Sequence, residues 1–143
     1  MCIRDSLWPG PLIIKGILHP DDALKAIDSG ADGVIISNHG GRQLDGAIAT
    51  ARILPVIAEA VKGRIPLLLD GGVRRGRDVL IALALGATAC LVARPQLWGL
   101  SIAGQEGVEH VLDIYRRELD RAMGLCGVQS IVDIDRSLLY EDG

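Results

Sequence analysis

The chain has 143 residues, 49% of them hydrophobic, and a formal net charge of −3. That length suits a single domain with a real core and argues against global disorder. With no basic block at either end, nucleic acid is a poor partner, and the apolar runs fall far short of the ~18 residues that a membrane span requires.

Aromatic residues are scarce, two Trp and two Tyr with no Phe, so the core must be built from Leu, Ile, Val and Ala. The opening MCIRDSLWPG carries no long apolar stretch of the kind a secretory leader needs. Cys2, Cys90 and Cys126 are odd in number and scattered, and Cys90, inside ACLVA, reads as a buried free thiol. There is no CxxC and no His/Cys pair at zinc spacing, so no structural metal is expected, and the expected location is a reducing cytoplasm. Peripheral attachment to a membrane stays open.

Taken in order, the first apolar run is LIIK at 12–15. A helical pattern follows in PDDALKAIDSG, with Pro20, Asp21 and Asp22 in its first turn and Gly30 as its stop. GVIIS at 33–37 is the second run. It opens directly onto a polar cluster, SNHGGRQLD at 37–45. ATARILPVIAEAVKG then reads as a helix ending at Gly63, with Pro55 arguing for a break or a late start. PLLLD at 66–70 is the third run. GRDVLIALALG follows as a helix from about Asp78 to Gly86, and ACLVA at 89–93 is the fourth run. None of the four runs alternates polar with apolar, which suits parallel strands buried on both faces. The order is β-α-β-α-β-α-β-α. From 107, Val108, Val111, Leu112, Tyr115, Leu119, Ala122 and Met123 fall at helical spacing, which predicts one long amphipathic helix ending near Gly124. SIVDIDRSLLY then reads as a short helix or turn.

The chain also repeats. DDALKAIDSGADGVIIS, from Asp21, aligns without a gap on RDVLIALALGATACLVA, from Arg77. The strands ahead of them, PLIIKG and PLLLDG, match one residue out of step. Two copies of a double βα unit make four βα units, half of an eight-fold barrel.

In such a sheet, ligands bind at the carboxyl ends of the strands. Those ends hold Lys15, Ser37-Asn38-His39, Asp70-Gly71-Gly72 and Arg94, whereas the opposite junctions are bland. Lys15 either snorkels to water or supplies a fixed cation to an electron-rich group. His39 is either a solvated residue or a base that titrates near neutrality. Arg42, three residues on, favours the base, because Gly40 and Gly41 allow a tight turn and a guanidinium binds a carboxylate through two parallel hydrogen bonds. Asp45 braces the loop, His19 is a loop residue and His110 lies on a helix surface. DGGVRRG at 70–76 and VARPQLWG at 92–99 are turns suited to a phosphate.

These stretches resemble the FMN-dependent α-hydroxy-acid oxidases and dehydrogenases, the family of glycolate oxidase, L-lactate dehydrogenase of the flavocytochrome type and mandelate dehydrogenase. The resemblance rests on KGI at 15–17, GADGVIISNHGGRQLDG at 30–46, DGGVRRGRDVLIALALGA at 70–87 and ARPQLWGL at 93–100, and covers residues 7–143. It implies an α/β fold, the C-terminal half (strands five to eight) of a TIM (β/α)8 barrel plus a C-terminal helix. It implies FMN as cofactor and a small 2-hydroxy acid as substrate. Lys15 would lie near the flavin N1 and Ser37 at its pyrimidine edge. His39 would take a proton from the acid, and Arg42 would clamp its carboxylate. Asp70, Gly71, Gly72, Val73 and Arg74 would hold the ribityl and phosphate groups, and Ala93 and Arg94 would complete the phosphate site. The family usually has Gly where this chain has Ala93, and a methyl there could crowd the phosphate.

MCIRDS does not look like the family's corresponding stretch, and nothing in the chain resembles the family's first four strands. The expectation is therefore a fragment, inactive alone, from a homo-oligomeric parent. Two other readings differ in class: another FMN- or phosphate-binding barrel, which would not need SNHGGRQLD, and a non-catalytic half-barrel.

Overall fold

The computed structural model describes residues 8–140; the irregular start expected at 1–6 lies outside them. Four strands, β1 (Ile13–Ile17), β2 (Gly33–Ile36), β3 (Leu67–Leu69) and β4 (Ala89–Cys90), alternate with four helices, α1 (Pro20–Asp28), α2 (Thr50–Val61), α3 (Gly76–Ala84) and α4 (Arg94–Leu125). The strands form one parallel sheet in chain order, β1-β2-β3-β4. Every βα unit expected from the apolar runs is present.

The register sorts the strand side chains into two faces. Val34 stands beside Ile14 and Leu67, and Ile36 beside Leu69. Val34, Ile36, Leu67 and Leu69 are buried against Leu54, Ile57 and Val61 of α2 and against Ala23 and Ala26 of α1. Burying each large side chain in such a face stabilises the fold by roughly 1.5–3 kcal/mol. Lys15, Ile35, Leu68 and Ala89 form the other row. That row is only half-covered, and Ile13 on the same face is 45% exposed. The expectation of burial on both faces is thus corrected. Right-handed crossovers between strands taken in chain order all return on the same side, so the helices cover a single face.

The internal repeat holds down to individual bonds. Gly30 and Gly86 both turn through positive φ at the ends of α1 and α3. Ala31 N donates to Ala26 O, and Ala87 N to Ala82 O, each at 3.0 Å. Asp32 N donates to Leu12 O as Thr88 N does to Leu67 O. The returning bonds run from Leu12 N to the Asp32 carboxylate and from Leu67 N to the Thr88 hydroxyl.

Two helix expectations are revised. Pro55 lies inside an unbroken α2. Its missing N–H and ring crowding cost a few kcal/mol in an isolated helix, but Leu54, Ile57 and Val61 on the buried face hold it. The stretch Arg94–Leu125 is two helices that meet at a kink at Ala103–Gly104, where Gly104 has φ 57° and ψ −135°; the second is the long helix expected from 107, and the first, opening at Arg94, is the addition. Gly99 and Gly107 meet backbone to backbone across that kink, where a Cβ on either would clash. Three glycines in a short stretch hid the helix from a reading by periodicity. The last segment forms two single 3-10 turns, at Ile131–Asp133 and Arg136–Leu138. Ile134 is buried with Leu80, Ala84 and Met123.

Candidate functional site

The strand ends meet as the alternation of side chains requires. Lys15 Nζ donates to Ser37 Oγ at 2.7 Å and pairs with Asp70 Oδ2 at 2.5 Å. Three neighbouring strands are thus joined at one corner. Ser37 is fully buried; its hydroxyl sits behind Lys15 and also accepts the His39 amide at 3.2 Å. Two of the three Lys15 ammonium hydrogens are engaged, which leaves one for a ligand.

The loop after β2 is built to present His39. Asn38 Oδ1 accepts the Gly40 amide at 3.0 Å, and its Nδ2 donates to Ile48 O. His39, Gly40 and Gly41 have φ of 54°, 69° and 74°. A histidine in the left-handed region carries strain of order 1 kcal/mol, held here by the Ser37 and Asn38 bonds. The imidazole lies over Gly16, whose own φ of 101° marks a bulge in β1. Arg42 is exposed, with no ion-pair partner among the described residues. Asp45 Oδ1 accepts the Gly46 amide, a local brace as expected.

The turn after β3 carries Gly71 and Gly72 at φ of 88° and 82°. Buried Thr50, at the start of α2, donates its hydroxyl to Asp70 O at 2.7 Å. Asp70 Oδ1 is buried and accepts no hydrogen bond among the described residues. The amides of Arg74 and Arg75 both donate to Asp78 Oδ2 at 2.9 Å, and the Gly76 amide donates to Glu118 Oε2 at 2.9 Å. The donors that open α3 are therefore occupied by carboxylates. Arg74 can serve an anion through its guanidinium but not through its amide, which narrows the expectation for that residue. The Gly76 amide and Arg75 hold the Glu118 carboxyl below its ordinary value. Burial, Asp78 and Glu118 push the Tyr115 phenol up. Cys90 of β4 is raised to about 11 by burial, so its thiol stays protonated.

The first turn of α4 is different. Ala93 precedes it without a side-chain cap, and the Arg94 guanidinium has no ion-pair partner among the described residues. Ala93 has φ −129° and ψ −69°, outside the left-handed region that would require glycine.

These parts face one cleft of about 800 Å³, lined by Lys15, His39, Arg42, the turn Asp70–Arg74, the stretch Leu91–Pro95 and Trp98. A smaller hollow of about 480 Å³ adjoins it beneath the glycine turn, between Thr50 and Ile81. Every residue expected to hold cofactor or substrate lines this cleft except Ser37, which is set behind its wall. Gly16, Thr50, Tyr115 and Glu118 were missed. Thr50 looked like an ordinary helix opening, while Tyr115 and Glu118 looked like the apolar and polar faces of an amphipathic helix. No described helix is long and apolar enough to cross a membrane, and the described residues hold no cluster of His, Cys, Asp or Glu fit for a metal ion.

The profile of the FMN-dependent dehydrogenase family matches residues 3–141. The chain is 54% identical over 135 residues to an L-lactate oxidase of Nostoc sp., covering 94% of this chain and 37% of that protein. It is 52% identical over 136 residues to a 2-hydroxyacid oxidase of Dictyostelium discoideum, covering 95% of this chain and 35% of that one. The chain thus spans little more than a third of the length of these relatives. A crystal structure of mandelate oxidase with 3,3-difluoro-2-hydroxy-3-phenylpropionic acid superposes with a TM-score of 0.89 at 48% identity, over 92% of this chain and 40% of that one. On these matches, the chain belongs to the FMN-dependent dehydrogenase family.

Proposed function

We propose that the chain forms strands five to eight and the closing helix of a (β/α)8 barrel, and that the whole protein oxidises a small L-2-hydroxy acid to the 2-oxo acid. The observation that carries this reading is the shared cleft, where Lys15, His39, Arg42, the glycine turn and Arg94 face one another.

The residues present fit FMN. Asp70 Oδ1 is a buried acceptor in want of a donor, which suits a ribityl hydroxyl. Arg74 and Arg94 offer guanidinium groups to a phosphate. Lys15 holds its positive charge where the electron-rich ring would lie. When bound, FMN supplies the acceptor for two electrons. His39 takes the proton that the acid loses, and the loop bonds from Ser37 and Asn38 fix its position. Arg42 orients the substrate through its carboxylate. In this reading the 143-residue chain is inactive alone, because one wall cannot enclose the acid. The whole protein is homo-oligomeric, supported by the exposed Leu97, Leu100 and Ile102 of α4, and cytoplasmic, supported by free Cys90 and Cys126.

The test replaces the matching stretch of the Nostoc L-lactate oxidase with this chain. The chimera is expected to retain flavin and to lose its yellow colour anaerobically on addition of glycolate, L-lactate or L-mandelate. A folded, flavin-loaded chimera that none of the three acids bleaches would refute the reading.

A further inference from the structure

Behind the glycine turn, on the side away from the cleft, one turn of α4 holds the chain at three points. Tyr115 Oη donates to Val73 O at 2.9 Å, and Tyr115 is buried. Glu118 accepts the Gly76 amide through Oε2 at 2.9 Å and pairs with Arg75 through Oε1 at 2.8 Å. Gly76 lies directly against the backbone at Glu118 and Leu119, where a Cβ could not fit. Positions 115, 118 and 119 share one face of a helix, so a single rigid surface grips residues 73–76. Neither Tyr115 nor Glu118 lines the cleft, whereas Val73 and Arg74 do.

We infer that Tyr115 and Glu118 are positioning residues, which set Val73 and Arg74 for the phosphate end of the cofactor from forty residues downstream in sequence. The inference rests on the cofactor reading above. Its physical basis is the entropy of the turn. Gly71 and Gly72 sample more backbone conformations than any other residue type, so a turn built on them holds an anion-binding geometry only if tied elsewhere. Asp78 ties the turn to its own helix. Tyr115 and Glu118 tie it to a different element, the second half of α4.

The test compares FMN with riboflavin, which has the ring and ribityl chain but no phosphate. Both are titrated into the flavin-free chimera with the Nostoc relative, the parent for these variants, and followed by flavin fluorescence. The parent is expected to prefer FMN. Glu118→Ala and Tyr115→Phe are each expected to weaken FMN roughly tenfold while leaving riboflavin within about twofold, the scale of one lost hydrogen bond. Glu118→Gln retains an acceptor for the Gly76 amide and is expected to recover most of the FMN affinity. Helical circular dichroism establishes that each variant is folded, and Tyr115→Phe, which keeps the buried ring, stands in if Glu118→Ala unfolds. Variants that keep the parent's preference for FMN, or that lose both flavins equally, overturn the inference alone. A parent that holds neither flavin, or holds both equally, overturns the cofactor reading and this inference with it.

Discussion

His39 stands directly over Gly16. A Cβ built on Gly16 would lie 2.9 Å from His39 Cε1. A glycine in one strand thus makes the space occupied by the catalytic candidate of the next. Gly16→Ala is expected to displace the imidazole and to strain a backbone at φ 101°. In the chimera with the Nostoc relative, flavin reduction by the acid should slow roughly 10²-fold, the cost of a misplacement near 1 Å, while FMN remains bound. Anaerobic stopped-flow absorbance measures it.

His39→Gln removes the base and keeps a polar side chain of similar reach. Reduction of the flavin is expected to fall by roughly 10²–10⁴-fold, with the bound flavin still yellow. Near-normal reduction would remove His39 from that role.

Arg42→Met leaves the loop bonds of Asn38 and His39 untouched, since none involves the Arg42 side chain. The lost contact is a charge-assisted one, so the KM for the acid should rise roughly tenfold or more. Steady-state kinetics of the chimera with varied acid reads this directly, and an unchanged KM and rate would speak against the clamp.

Thr50→Val replaces a buried hydroxyl that donates to Asp70 O at 2.7 Å. The new methyl fills the space but leaves the carbonyl without that donor. Stability is expected to drop by about 1–3 kcal/mol, seen in urea titration as a lower midpoint at constant slope.

Cys90 gives a pH signature. Burial raises its thiol from 9.0 to about 11, so the folded chain keeps a proton there that the unfolded chain loses. The thiol's contribution to stability is complete below pH 9 and disappears as pH rises towards 11. Cys90→Ala should flatten that part of the profile of denaturation midpoint against pH. At pH 8, exposed Cys126 should react with iodoacetamide well before Cys90, as peptide mass spectrometry would show.

The strands and their order were legible because four aliphatic runs recur between helical patterns, and because the repeat fixes which segments are equivalent. The covering of the sheet was not. An uninterrupted run such as LLL is compatible with one covered face or two, and strand order decides between them. His39, Arg42 and the glycine turns announced themselves by placing polar groups at apolar strand ends. Tyr115 and Glu118 did not, since a side chain that reaches back to a carbonyl or an amide some forty residues away has the same helical spacing as one that merely packs or meets water.

Lys15 and Asp70 occupy the same place in the two copies of the repeat, each the residue that ends PLIIK or PLLLD. Identical residues there would bring two ammonium groups or two carboxylates together at the centre of the site. The opposite charges, 2.5 Å apart, show the duplicated pattern broken at the place where its symmetry would be repulsive. One copy supplies the cation and the other the anion, so neither half of the repeat can make this corner from two of itself.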